Sequence, residues 1–167
     1  MPENAIDFFS VFEILAKHDV EFIITGGVSA VLMGAPVTTF DLDIIHHRTE
    51  KNIDNLLLAL EELDAHYRLR QDIKIKPQKE ALCGNGHHLL LTTCGPLDIM
   101  GTVGHGLSYS DILPETEKIE IETHILLVQS LTSLIALKRR LGRAKDLATI
   151  PILQQTIDQQ EKKGTGI

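Results

Sequence analysis

The sequence predicts an α+β domain: a small mixed β-sheet flanked by helices, with further helices at the C-terminal end. Two observations carry this prediction. Apolar residues recur at helical spacing in three separated stretches, and short apolar or alternating runs bounded by glycine and proline stand between them. With 167 residues, 43% of them hydrophobic, the chain can build one sizeable core and is too short for two. Residues 1–167 are therefore read as a single domain, with 161–167 as a frayed tail.

The first helix is predicted over residues 5–18, where Ile6, Phe9, Val11, Phe12, Ile14 and Leu15 fall mostly on one stripe. Phe22, Ile23, Ile24 and Thr25 follow as a strand, and Gly26-Gly27 ends it and opens a short helix over 28–33. Gly34-Ala35-Pro36 stops that helix, and the next strand is predicted over 40–45. Thr49-Glu50 starts a helix with Ile53, Leu56, Leu57, Leu60 and Leu63 at helical spacing. From His66 to Gly86 the pattern dissolves into a long connection of mixed basic and polar residues.

Strands return over 88–93 and 97–100, with Gly95-Pro96 as the predicted turn. A polar stretch over 108–114 precedes a strand pair at 118–122 and 125–128. Helices over 130–141 and 145–160 close the chain. No internal repeat or low-complexity segment interrupts this order.

Composition narrows the functional classes. No apolar run reaches the roughly 18 residues that span a bilayer, and the start, MPENAIDFF, is acidic where a secretory leader is basic, so a soluble cytoplasmic protein without membrane attachment is expected. A formal net charge of −7 argues against a general nucleic-acid coat, although Lys138, Arg139, Arg140, Arg143 and Lys145 crowd five cations into eight residues. Cys83 and Cys94 have neither metal-type spacing nor the numbers of a disulfide framework.

Chemistry concentrates in "GGVSAVLMGAPVTTFDLDIIHH", residues 26–47. In a strand, Asp41 and Asp43 point to one side while Leu42 and Ile44 point to the other. Like charges held so close raise each other's pKa unless a cation lies between them, and a hard oxygen-ligated ion such as Mg²⁺ or Mn²⁺ suits the pair. A third acid, Asp98, again has apolar neighbours on the opposite face. The glycine pair at the start of a helix exposes backbone N–H groups that can cradle phosphate, with Ser29 able to add a hydroxyl.

Apolar-Gly-Gly, thirteen residues, then Asp-Leu-Asp-Ile and a later strand aspartate resembles the nucleotidyltransferase superfamily of DNA polymerase beta type. The resemblance is closest to small bacterial proteins grouped with abortive-infection toxin nucleotidyltransferases, and it is clear over residues 22–46. It implies a nucleotidyltransferase-like sheet with Gly26, Gly27 and Ser29 at the triphosphate. It further implies Asp41 and Asp43 as ligands of catalytic Mg²⁺, and Asp98 as the third carboxylate, which binds metal and deprotonates the acceptor hydroxyl. The donor would be a nucleoside triphosphate; transfer RNA, a protein hydroxyl or a small molecule stays open as acceptor, and an antitoxin-type protein as partner.

One departure stands out. Relatives often carry Arg-x-Thr-x-Asp before the acids, whereas Val37-Thr38-Thr39-Phe40-Asp41 keeps Thr39 and has no arginine. Replacement charge is sought further on: Lys138 continues the apolar stripe Leu131, Leu134, Ile135 and so falls on the inward face, either snorkelling at the helix end or reaching the phosphates. In the resembled toxin group a Lys-Asp pair like Lys145-Asp146 belongs to the site; Asp146 equally suits a helix N-terminus. Arg139, Arg140 and Arg143 are expected on a solvated basic face. His46-His47 and His87-His88 invite zinc, but adjacent strand residues point apart, so neither pair chelates alone; His46 or His88 borders the cleft by position.

Two other readings stay open. A catalytically silent member of the fold would bind nucleotide, RNA or a protein partner, and a phosphohydrolase would use Asp41 as its nucleophile.

Overall fold

The computed structural model describes residues 6–165 apart from residue 71. Helix α1 (Phe8–Lys17) is capped by the Asp7 side chain and leads into β1 (Phe22–Thr25). Helix α2 (Gly26–Leu32) follows without a loop, because Gly26 adopts φ 66° and turns the strand directly into the helix. Strand β2 (Leu42–His46) and helix α3 (Glu50–Glu62), capped by Thr49, come next. The predicted long connection contains two short elements, β3 (His66–Tyr67) and α4 (Lys79–Leu82).

Strands β4 (His87–Thr92) and β5 (Gly95–Met100) form a hairpin whose turn is Thr93-Cys94, so Gly95 and Pro96 belong to the strand and the turn prediction is displaced by two residues. Pro96 is tolerated there because β2 pairs with β5 only from Leu97 onward. A reciprocal capping box between Ser108 and Asp111 turns the expected polar stretch into the one-turn helix α5 (Tyr109–Ile112), followed by a 3₁₀ turn (Leu113–Glu115). Strands β6 (Thr116–Ile121) and β7 (His124–Gln129) precede α6 (Leu131–Leu141), which ends at left-handed Gly142. Helix α7 (Ala144–Thr165) runs past the predicted end at 160, and residues 166–167 lie outside the described residues.

The strands form one mixed seven-stranded sheet in the order β3-β4-β5-β2-β1-β7-β6. β1 runs antiparallel to β2 and parallel to β7, and β2 runs parallel to β5. One face carries Ile24, Leu42, Ile44, Leu97 and Ile99 into the main core with Phe12, Leu15, Leu56 and Leu60 of α1 and α3. Helices also cover part of the acid-bearing face: Ile45, which shares that face with Asp43, is buried against Tyr109 and Ile112 of α5, with Leu137 of α6 beside them. A satellite cluster of Ala30, Ala35, Leu131, Leu134, Ile135 and Leu153 joins α2, α6 and α7.

Asp41 is not in the strand as predicted. It occupies the bend before β2, because β1 turns away at Gly26 and its last partner is Thr25 opposite Asp43. With β1 gone on one side, and Pro96 of β5, which has no N–H to donate, in line with it on the other, Asp41 has no ladder to join. Among the described residues, no helix is long and apolar enough to cross a membrane.

Candidate functional site around paired strand carboxylates

Lateral register builds the centre of the site. Asp43 lies opposite Thr25 on one side and Asp98 on the other, so residues from β1, β2 and β5 form a row across the sheet. Behind this row Leu42, Ile44, Leu97 and Ile99 are fully buried on the opposite face. That anchoring fixes which way the carboxylates point.

The glycine pair gives the carboxylate its room. A Cβ on Gly26 would lie 2.2 Å from Asp43 Oδ2, and one on Gly27 would lie 2.6 Å from Thr39 Oγ1. Both glycines are thus required by close approach, and Gly26 by its positive φ as well. Thr39 donates its hydroxyl to the Asp41 carbonyl at 3.1 Å, which shapes the bend between α2 and β2. Burial and the neighbouring Asp98 and Asp41 carboxylates push Asp43 up to about 7, with Arg68 pulling the other way.

Arg68 is the residue that sequence reasoning missed. It leaves the edge strand β3, donates its backbone N–H to the Leu89 carbonyl, and lays its side chain across β4. There Nη1 meets Asp98 Oδ1 at 2.5 Å, Nη2 meets Oδ2 at 3.3 Å, and Nη2 stands 4.0 Å from Asp41 Oδ2. A two-residue strand has no periodicity to read, and Arg68 is thirty residues from its partner Asp98. No local pattern announces such a contact.

Facing the acids, α6 and the start of α7 close a cavity of about 300 Å³. Gly26, Gly27 and Asp43 line one wall, while Lys138, Arg143, Lys145 and Asp146 line another. Met100, Val103, Leu134, Leu137 and Leu141 add an apolar flank. Asp146 is 4% exposed and receives Arg143 Nε at 2.5 Å and Lys138 Nζ at 3.6 Å. Burial pushes its carboxyl up, but Arg143, Lys138 and Lys145 outweigh that and hold it below the usual range.

Several expectations change here. Arg143, expected on a solvated face, lines the cavity through its grip on Asp146. Ser29 is fully buried and donates its hydroxyl to the Gln129 carbonyl at 2.6 Å, away from the cavity lining. Val37 packs against the satellite cluster of α2, α6 and α7, so the position where an arginine was looked for is an apolar contact. His46 and His88 are buried with the apolar face of the sheet, and His87, one residue earlier, lines the cavity instead. Alternation along β4 decides that difference.

The overall architecture is a nucleotidyltransferase-like fold. The crystal structure of a candidate nucleotidyltransferase from Thermotoga maritima superimposes with a TM-score of 0.56 over 91% of each chain, at 19% sequence identity. No family profile matches the sequence, and no curated protein does.

The donor set of the acid row has the chemistry a hard divalent ion takes: adjacent carboxylates on a rigid sheet, one of which, Asp43, is pushed up to about 7 by burial and by its carboxylate neighbours. Among the described residues the three acids are not drawn together tightly enough to hold such an ion, and Arg68 lies against two of them, Asp98 and Asp41.

Proposed function

We propose that the protein transfers a nucleoside monophosphate from a nucleoside triphosphate to an acceptor hydroxyl. What carries this reading is the in-register pair Asp43 and Asp98 on a nucleotidyltransferase-like sheet, with Asp43 facing the same cavity as the glycine pair, Lys138 and Lys145. Asp41 and Asp43, with Asp98, would hold Mg²⁺ or Mn²⁺, which when bound neutralises phosphate charge and polarises the α-phosphate. Lys138 and Lys145 approach the triphosphate tail from the opposite wall, with Asp146 and Arg143 fixing the lysine of α6. The nucleoside lies against the apolar flank of Leu134, Leu137 and Met100.

In the reaction the acceptor oxygen forms a bond to the α-phosphorus as the bond to the bridging oxygen breaks. Pyrophosphate leaves, and Asp98 takes the acceptor's proton. The apolar wall at Val37 leaves the phosphate charge to the cations of α6 and α7.

Calorimetry with each Mg²⁺–nucleoside triphosphate tests binding, and incubation of α-labelled nucleotide with cell extract identifies the acceptor as RNA, protein or small molecule. Folded protein that binds no Mg²⁺–nucleotide would sink the proposal. The second reading, a catalytically silent nucleotide-binding member of the fold, is favoured by the guanidinium on Asp98; nucleotide binding without any labelled product, and unchanged by Asp43→Asn, is its signature.

A further inference from the structure

The acid cluster already contains a cation. We propose that Arg68 determines metal occupancy of this site: its guanidinium takes the position among Asp98 and Asp41 that a divalent ion needs, so the ion binds only as Arg68 leaves Asp98. This rests on the metal-dependent reading above. It concerns a residue of this chain that neither the glycine pair nor the aspartate motif includes.

The geometry is that of a competitor. Arg68 engages both Asp98 oxygens, at 2.5 and 3.3 Å, and so occupies the edge between them, leaving an ion only the outer lone pairs beside a fixed positive charge. The same guanidinium stands 4.0 Å from Asp41, so one side chain spans two of the three proposed ligands. Like charges at such range repel, which penalises simultaneous occupancy by guanidinium and ion beyond the loss of ligand atoms.

Arg68 also has a way out. Its side chain is 25% exposed, it lies in the turn that follows a two-residue edge strand, and the next residue, Leu69, is 80% exposed. Swinging the side chain outward breaks the bonds to Asp98 and to the Leu90 carbonyl and disturbs none of the buried sheet core. In the metal-free protein, then, the guanidinium compensates acids that would otherwise repel one another. When the ion takes over that compensation, Arg68 is released toward solvent.

Mn²⁺ binding by electron paramagnetic resonance, run on the full chain as wild type, Arg68→Gln and Arg68→Lys with melting curves to confirm folding, tests this. Removing a competing cation should tighten Mn²⁺ binding roughly tenfold or more in Arg68→Gln, with Arg68→Lys in between because it keeps the charge and loses the fork. In wild type, ¹⁵N spectra should show Arg68 guanidinium signals held apart in metal-free protein and merged on adding Mg²⁺. Binding in Arg68→Gln equal to or weaker than in wild type, or guanidinium signals indifferent to Mg²⁺ in a protein that binds it, overturns the competition and leaves the functional reading intact. Failure of every variant to bind Mn²⁺, with or without nucleotide, overturns both.

Discussion

The two faces of β2 treat buried polar groups in opposite ways. On the core face, Leu42, Ile44 and His46 are fully buried, and burial depresses the His46 pKa so that the ring stays neutral. His46 Nδ1 and His88 Nε2 have no hydrogen-bond partner among the described residues, a cost this face absorbs through dense packing. On the other face, Asp43 is kept beside Asp98 and Asp41 with a guanidinium, a cavity and a glycine turn around it. A neutral ring can be sealed in, whereas carboxylates persist only where something cationic or protic can reach them.

The largest effect that sharpens this contrast is on the sealed face. Ile44→Ala should lower unfolding free energy by about 2–5 kcal/mol in urea titrations, because it empties a fully buried site. Gly26→Ala, at the acid face, should cost about 1–3 kcal/mol from left-handed strain and collision with Asp43. Adding Asp43→Ala should recover the part due to collision and leave the backbone strain, on the order of 1 kcal/mol. Full recovery would mean that φ at Gly26 is not constrained.

A pH series separates the faces further. Asp43 has a folded-state pKa of about 7 against an ordinary 3.8, so the folded chain holds more protons across that window. Stability of the metal-free protein therefore falls as pH rises from about 4 to about 7, and the cost is fully present above that. Asp43→Asn should melt above wild type at pH 8, with the gap closing as pH falls to 4. A constant gap across the range would show that charge at Asp43 is already compensated.

The smallest effects concern α6. Lys138→Ala should weaken nucleoside triphosphate binding about tenfold and monophosphate binding less, since the lysine addresses the phosphate tail. Arg139→Ala, on the exposed side of the same helix, should change stability by no more than about 0.5 kcal/mol and leave nucleotide binding alone. Equal losses in the two variants would replace a directed contact with a diffuse field.

Much of the frame was legible because its rules are local. Helical spacing placed Leu131, Leu134 and Ile135 in a buried stripe, as they are, and alternation set Leu42 and Ile44 apart from Asp43. The same rules erred where neighbouring strands decide the outcome. Asp41 has strand-like sequence neighbours but loses β1 as a partner and meets Pro96, which cannot donate, on the β5 side, and Gly95-Pro96 looks like a turn but is held in β5 by β4. Ser29 reads as a phosphate ligand until β7 brings the Gln129 carbonyl to its hydroxyl.

Sequence alone determined that a glycine pair opens a helix, that strand carboxylates follow it, and that a lysine sits on the inner stripe of a later helix. Each of these depends on backbone sterics and periodicity acting within a few residues. Only the tertiary structure decided that Asp43 and Asp98 stand in register, that Asp146 joins Lys138 to Arg143 in the cavity wall, and that Arg68 reaches Asp98 across β4. Those contacts depend on strand order and helix docking, which arise from burying one shared core and leave no mark on any short stretch of sequence.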